Sequence, residues 1–140
     1  MSRALVDTGA VVALVNLADR HHRAAVEWFR GFHGQLLTTD AVVTETAYVL
    51  AASIAHQRAA LVWFERARAA GILRIEPVAD YAALAAIMTR YVDLPCDYAD
   101  ASLIALAEET GVVGIATIDQ RDFSVYRLRG RKRFRILLPG

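Results

Sequence analysis

Four acidic residues stand where a short chain can bring them to one place: Asp7, Glu45, Asp100 and Asp119. Asp7 follows the apolar run Ala4-Leu5-Val6, and Asp119 follows Ala116-Thr117-Ile118. An acid directly after an apolar strand stands on the carboxyl edge of its sheet, where open α/β sheets bind ligands. Glu45 falls in the first turns of a helical segment after a second apolar run, and Asp100 in the first turn of a helix opening near Asp97. Both can face that same edge. Carboxylates gathered there repel one another by several kcal/mol per close pair at an effective dielectric of about 20. The metal-free arrangement is therefore strained or partly protonated. A divalent cation removes that repulsion, and a ligand set made only of oxygen selects hard ions such as Mg²⁺ or Mn²⁺.

Each acid also has a structural explanation. Asp97 and Asp100 are spaced as an N-cap and an acid in the first helical turn, which serves the helix without any chemistry. Asp119 and Asp122 can cap a turn leading into Phe123 in the same way. Capping explains Asp7 least well, because it is followed by Thr8-Gly9 directly after a strand, and Gly9 is expected to permit a tight turn. Glu45, among Val43, Ala47 and Tyr48, is out of place unless its face borders a cleft.

Other chemistries lack support. Neither a dinucleotide-binding glycine fingerprint nor a phosphate-cradling P-loop occurs. His21, His22, His33 and His56 have no carboxylate at a telling spacing, and neither Ser102 nor Cys96 sits in a nucleophile elbow. Trp28, Trp63 and Phe64 read as core.

The elements that must position the acids follow from hydrophobic periodicity. Strands are expected over residues 4–6, 36–38, 73–75, 112–117 and 134–138. Helices are expected over 10–17, 21–32, 40–53, 56–70, 80–91 and 97–110, with Thr39 or Asp40, Asp80 and Asp97 as caps and Gly71 and Gly111 as stops. Short apolar strands separated by helical crossovers imply an α/β fold, a parallel sheet with helices on both faces. No repeat or linker divides the chain, so residues 1–140 read as one domain.

Composition narrows the class. Hydrophobic residues make up 56% of 140, with three prolines, so a packed core is expected. The single cysteine, Cys96, excludes an internal disulfide, and a reducing cytoplasm fits best. The apolar run over residues 4–17 is broken by Asp7 and Asn16 and reads as retained structure, not as a leader. No run reaches the roughly 18 apolar residues of a membrane span. The net charge of +1 is unevenly spread. Residues 1–119 carry nine Arg against fourteen Asp and Glu, whereas residues 120–140 carry six Arg and Lys132 against Asp122 alone. An acidic body with a basic tail suits a polyanion held by one surface and processed at another.

The segments Leu5-Val6-Asp7-Thr8, Thr44-Glu45-Thr46-Ala47, Asp97-Tyr98-Ala99-Asp100 and Thr117-Ile118-Asp119-Gln120-Arg121-Asp122 resemble, in order and spacing, the motifs of the PIN-domain family. The resemblance runs from the first strand to near the end of the chain. It implies a three-layer PIN-like fold and a metal-dependent endoribonuclease that leaves a 5′-phosphate and a 3′-hydroxyl. Asp7, Glu45, Asp100 and Asp119 would be the catalytic and metal-binding quartet, with Asp97 and Asp122 as further ligands and Thr8 and Thr117 in support. Gly9 departs from the serine frequent in the family. The short length is similar to the VapC toxins of toxin–antitoxin pairs. That implies an RNA substrate such as tRNA or ribosomal RNA, a VapB-type antitoxin and a homodimer. Arg127, Arg129, Arg131, Lys132, Arg133 and Arg135 are the expected RNA-binding residues. A non-catalytic RNA- or partner-binding module and a housekeeping RNA-maturation nuclease are the alternatives.

Overall fold

Two-residue alternation along the short apolar runs sorts their side chains onto two faces of a sheet. Ala4 and Val6 join Leu36, Leu73 and Ala116 in one buried cluster, whereas Leu5 joins Leu37 and Ile115 in the other. The computed structural model describes residues 2–139. The strands are β1 (Arg3–Val6), β2 (Gln35–Thr39), β3 (Leu73–Glu76), β4 (Gly114–Ala116) and β5 (Arg135–Ile136). All pair in parallel in the order β3-β2-β1-β4-β5, with Leu5 of β1 opposite Leu37 on one side and Ile115 on the other.

That order explains the location of the site. From β1 the chain works outward through β2 to β3, then returns to β4 beside β1 and continues outward to β5. The outward paths diverge above β1 and β4, which is the topological switch point where such sheets open a crevice. Helices α1 (Thr8–Val15), α2 (His22–Gly31), α3 (Asp40–Val49) and α4 (Ile54–Ala69) serve the first half of the winding, and α5 (Tyr81–Arg90), α6 (Tyr98–Thr110) and α7 (Gln120–Val125) the second. Val11, Ala60 and Phe64 from the first group pack in the Val6 cluster. Leu84, Leu103, Ile104 and Phe123 from the second pack in the Leu5 cluster. The fold is thus α/β with helices on both faces, as the sequence implied.

Several boundaries differ from the sequence reading, each for a physical reason. The first helix begins at Thr8 rather than residue 10, because Asp7 is already extended (φ −95°, ψ 162°) and the helix follows it directly. Gly9 therefore makes no turn; it lies inside α1, and a Cβ there would stand 2.6 Å from Ile118 Cγ1. Helix α3 stops at Val49, and Ser53, expected inside it, instead caps α4 by accepting from His56 N–H. Strands β4 and β5 are shorter than expected. Gly111 ends α6 at φ 75°, where glycine escapes the steric cost of a Cβ. No helix among the described residues is long and apolar enough to cross a membrane.

Candidate metal centre

Asp7 is fixed from both sides of the central strand pair. Its N–H extends the ladder to Ala116 O at 3.0 Å, and Thr38 Oγ1 donates to Val6 O at 2.8 Å, so the end of β1 is held between β2 and β4. Asp7 occupies the N-cap position of α1 yet makes no side-chain cap, unlike Thr39, Ser53, Asp80, Asp97 and Asp119 at their helices. Its Oδ2 instead accepts from Thr117 Oγ1 at 2.8 Å. Thr117 also accepts from Asp119 N–H at 2.9 Å, so one hydroxyl after β4 positions both the first and the last acid.

Glu45 and Asp100 arrive on helices tied together at their starts. Thr39 Oγ1 accepts from Val42 N–H to cap α3 and lies 2.8 Å from Ser102 Oγ of α6, a buried contact. Asp97 Oδ1 accepts from Asp100 N–H at 2.8 Å, and Asp100 Oδ2 accepts from Tyr126 Oη at 3.1 Å. Asp119 Oδ1 accepts from Asp122 N–H at 3.2 Å and starts α7. Asp7, Thr8, Glu45, Asp97, Asp100, Asp119 and Asp122 line one open cleft of about 450 Å³ at the carboxyl edge.

Burial makes these carboxyls poor acids. It raises Asp7 to about 6, against the opposing donation from Thr117. Burial, and next the neighbouring Asp97, raise Glu45 to about 7. Burial followed by the charges of Asp7 and Asp97 raises Asp100 to about 8, and burial also raises Asp119. Asp7 and Asp100 are only 5% and 7% exposed, and among the described residues no salt bridge reaches them.

Residues 4–128 match the model of the PIN domain. The chain belongs to the PIN-domain family. It is 30% identical to ribonuclease VapC26 of Mycobacterium tuberculosis (strain ATCC 25618 / H37Rv) over 133 residues, 95% of this chain and 98% of that protein. Its fold is similar to the crystal structure of M. tuberculosis VapC20, a sarcin-ricin loop cleaving toxin. That similarity has a TM-score of 0.73 and 22% identity, over 86% of this chain and 92% of the other.

Nucleases of the PIN-domain family act with divalent metal ions, and the cleft passes a chemical test for one. The donors are all oxygens, burial first and neighbouring acids after it hold the Asp7, Glu45 and Asp100 carboxyls above the usual carboxylate range, and the Thr8 hydroxyl is buried beside them. No three acidic, histidine or cysteine side chains among the described residues converge on one ligating point as they stand.

The sequence reading of Gly9 needs amendment in this PIN domain. The room a serine would use is filled by Ile118, so glycine here serves a close contact. Arg127 of the expected RNA-binding group donates through Nη1 to Ser124 O, Val125 O and Tyr126 O at the end of α7. Tyr126 was not foreseen. Its only sequence signal is that a buried tyrosine must find a partner for its hydroxyl.

Proposed function

We propose that the protein is a VapC-type endoribonuclease that hydrolyses phosphodiester bonds of structured RNA, tRNA or ribosomal RNA, with Asp7, Glu45, Asp100 and Asp119 as its metal-binding and catalytic residues. The observation that carries this reading is Asp7, whose carboxylate forgoes the helix it should cap and is held by Thr117 in a cleft it shares with the other three acids. Mg²⁺ or Mn²⁺ bound there would supply an activated water and neutralise the charge that develops on the phosphate. Thr117 keeps Asp7 and Asp119 in register, and the Thr39–Ser102 contact does the same for the helices bearing Glu45 and Asp100. Thr8 presents its buried hydroxyl to the cleft, and Asp97 and Asp122, both cap partners, stand beside it in the lining.

The partner in this reading is a VapB-type antitoxin in the cytoplasm. An apolar groove of about 770 Å³ lined by Leu14, Val15, Phe29, Trp63 and Ile72, with Arg30 and Arg66 beside them, supports docking of an amphipathic segment. A homodimer would cover the exposed Tyr48, Val49, Ile54 and Leu61. The deciding experiment incubates purified protein with total bacterial RNA in Mg²⁺ or Mn²⁺, with and without chelator. Discrete fragments with 5′-phosphate ends that vanish with chelator, and with Asp7→Asn, are the expected result. Intact RNA under every condition would overturn the reading.

A further inference from the structure

Tyr126 is completely buried, and its position is set from three directions. Its N–H donates to Asp122 O at the end of α7, and its ring packs against Phe123 and Tyr91 at centroid distances of 5.1 and 5.0 Å. Tyr91 is itself held, since its Oη accepts from Arg127 N–H at 2.7 Å and donates to Arg127 O at 3.1 Å. These contacts hold the ring behind Asp100. A phenylalanine would satisfy all of this packing, so the hydroxyl is what tyrosine adds. That hydroxyl donates to Asp100 Oδ2 at 3.1 Å, a buried contact across 26 residues of sequence. Helix α7 thereby touches the acidic cluster at both ends, with Asp119 capping its start and Tyr126 closing its finish.

We infer that Tyr126 is a positioning residue of the metal centre, fixing the Asp100 carboxylate by engaging Oδ2 so that its other oxygen is left for a cation. This inference rests on the metal-site reading given under Proposed function. A carboxylate ligand freed of its outer hydrogen bond loses orientation, and removal of such partners typically weakens metal binding by about 10–100-fold.

The test measures Mn²⁺ affinity through the resonance signal of free Mn²⁺, with no RNA present. Tyr126→Phe keeps the ring and removes the hydroxyl; Tyr91→Phe breaks two backbone contacts nearby but leaves the Asp100 hydrogen bond intact. Tyr126→Phe is expected to bind Mn²⁺ about 10–100-fold more weakly than the unaltered chain, while Tyr91→Phe loses melting temperature yet stays within about twofold in affinity. In the Asp100→Asn background, Tyr126→Phe should have almost no further effect, because it acts through that carboxylate. Equal affinity in Tyr126→Phe and the unaltered chain overturns the inference. So does an equal loss in both tyrosine variants, which would mark general loosening. If the unaltered chain binds no Mn²⁺, the metal-site reading itself fails and the positioning role falls with it.

Discussion

Asp7 and Asp100 are carboxyls that the fold holds against their own preference. With folded values of about 6 for Asp7, 7 for Glu45 and 8 for Asp100, each binds its proton more tightly in the folded chain than in the unfolded one. A group of that kind favours the fold at low pH. Its contribution is complete below the unfolded carboxyl range near about 4 and is lost as pH rises through the folded values. The metal-free protein should therefore lose melting temperature between about pH 4 and 8, by roughly 3–4 °C for each kcal/mol lost, and saturating Mg²⁺ should flatten the decline. Calorimetry in chelator decides it, and a melting point rising across that window would contradict the burial argument. The same logic separates function from stability. Asp100→Asn removes a charge from a repelling cluster, so cleavage should vanish while the metal-free melting point at pH 8 holds steady or rises by a few degrees. Loss of stability with cleavage retained would assign Asp100 a structural role.

At the scale of elements, the alternation of strands and helices was legible because periodicity is local, and so were the caps Asp80 and Asp97 and the stop at Gly111. The ends of α3 and β4 were not, since they depend on where neighbouring elements leave room. That Asp7, Asp100 and Asp119 would share one cleft was legible because strand and helix termini place them at one edge. Tyr126 was not, because its partner lies 26 residues away. Gly9 is the clearest case of a local signal misread. A glycine inside a helix costs roughly 0.5–1 kcal/mol relative to alanine, so propensity alone makes Gly9→Ala stabilising. Contact with Ile118 Cγ1, 2.6 Å from the new Cβ, opposes that gain, and overpacking costs about 1–3 kcal/mol. Urea denaturation should show Gly9→Ala destabilising in the unaltered chain and stabilising in an Ile118→Ala background. The same sign in both backgrounds would show that Ile118 yields freely.

Over the whole molecule, the two signs of charge sit at opposite ends of α6. Asp100 lies in its first turn at the acidic cleft, whereas Glu108 of its later turns lies 3.9 Å from Arg129 Nε, about 12 Å further along the axis at 1.5 Å per residue. Residues 127–133 fold back on themselves through a bridge between Arg127 and Arg133 and a bond from Leu128 N–H to Lys132 O, while Leu128 and Phe134 anchor the loop in the core. Arg127 is occupied by the end of α7, but Arg129, Arg131, Lys132, Arg133 and Arg135 remain exposed. The Glu108 contact does not remove Arg129 from this group, since it is 3.9 Å long and engages Nε of a side chain that is 85% exposed, which leaves the outer guanidinium nitrogens open to phosphate. A polyanion that reaches the cleft can thus be held a helix length away from the bond that is cut. Replacing Arg129, Arg131 and Arg133 by Gln should weaken RNA binding and reduce its dependence on log salt by about two units of slope for a single strand. Sequence preference should not change, because phosphate contacts position RNA without reading its bases. A short oligonucleotide that spans the cleft alone should be cut at an unchanged rate, which separates holding from chemistry. If the triple variant keeps both affinity and salt slope but no longer binds the antitoxin, the basic loop belongs to the protein partner and not to RNA.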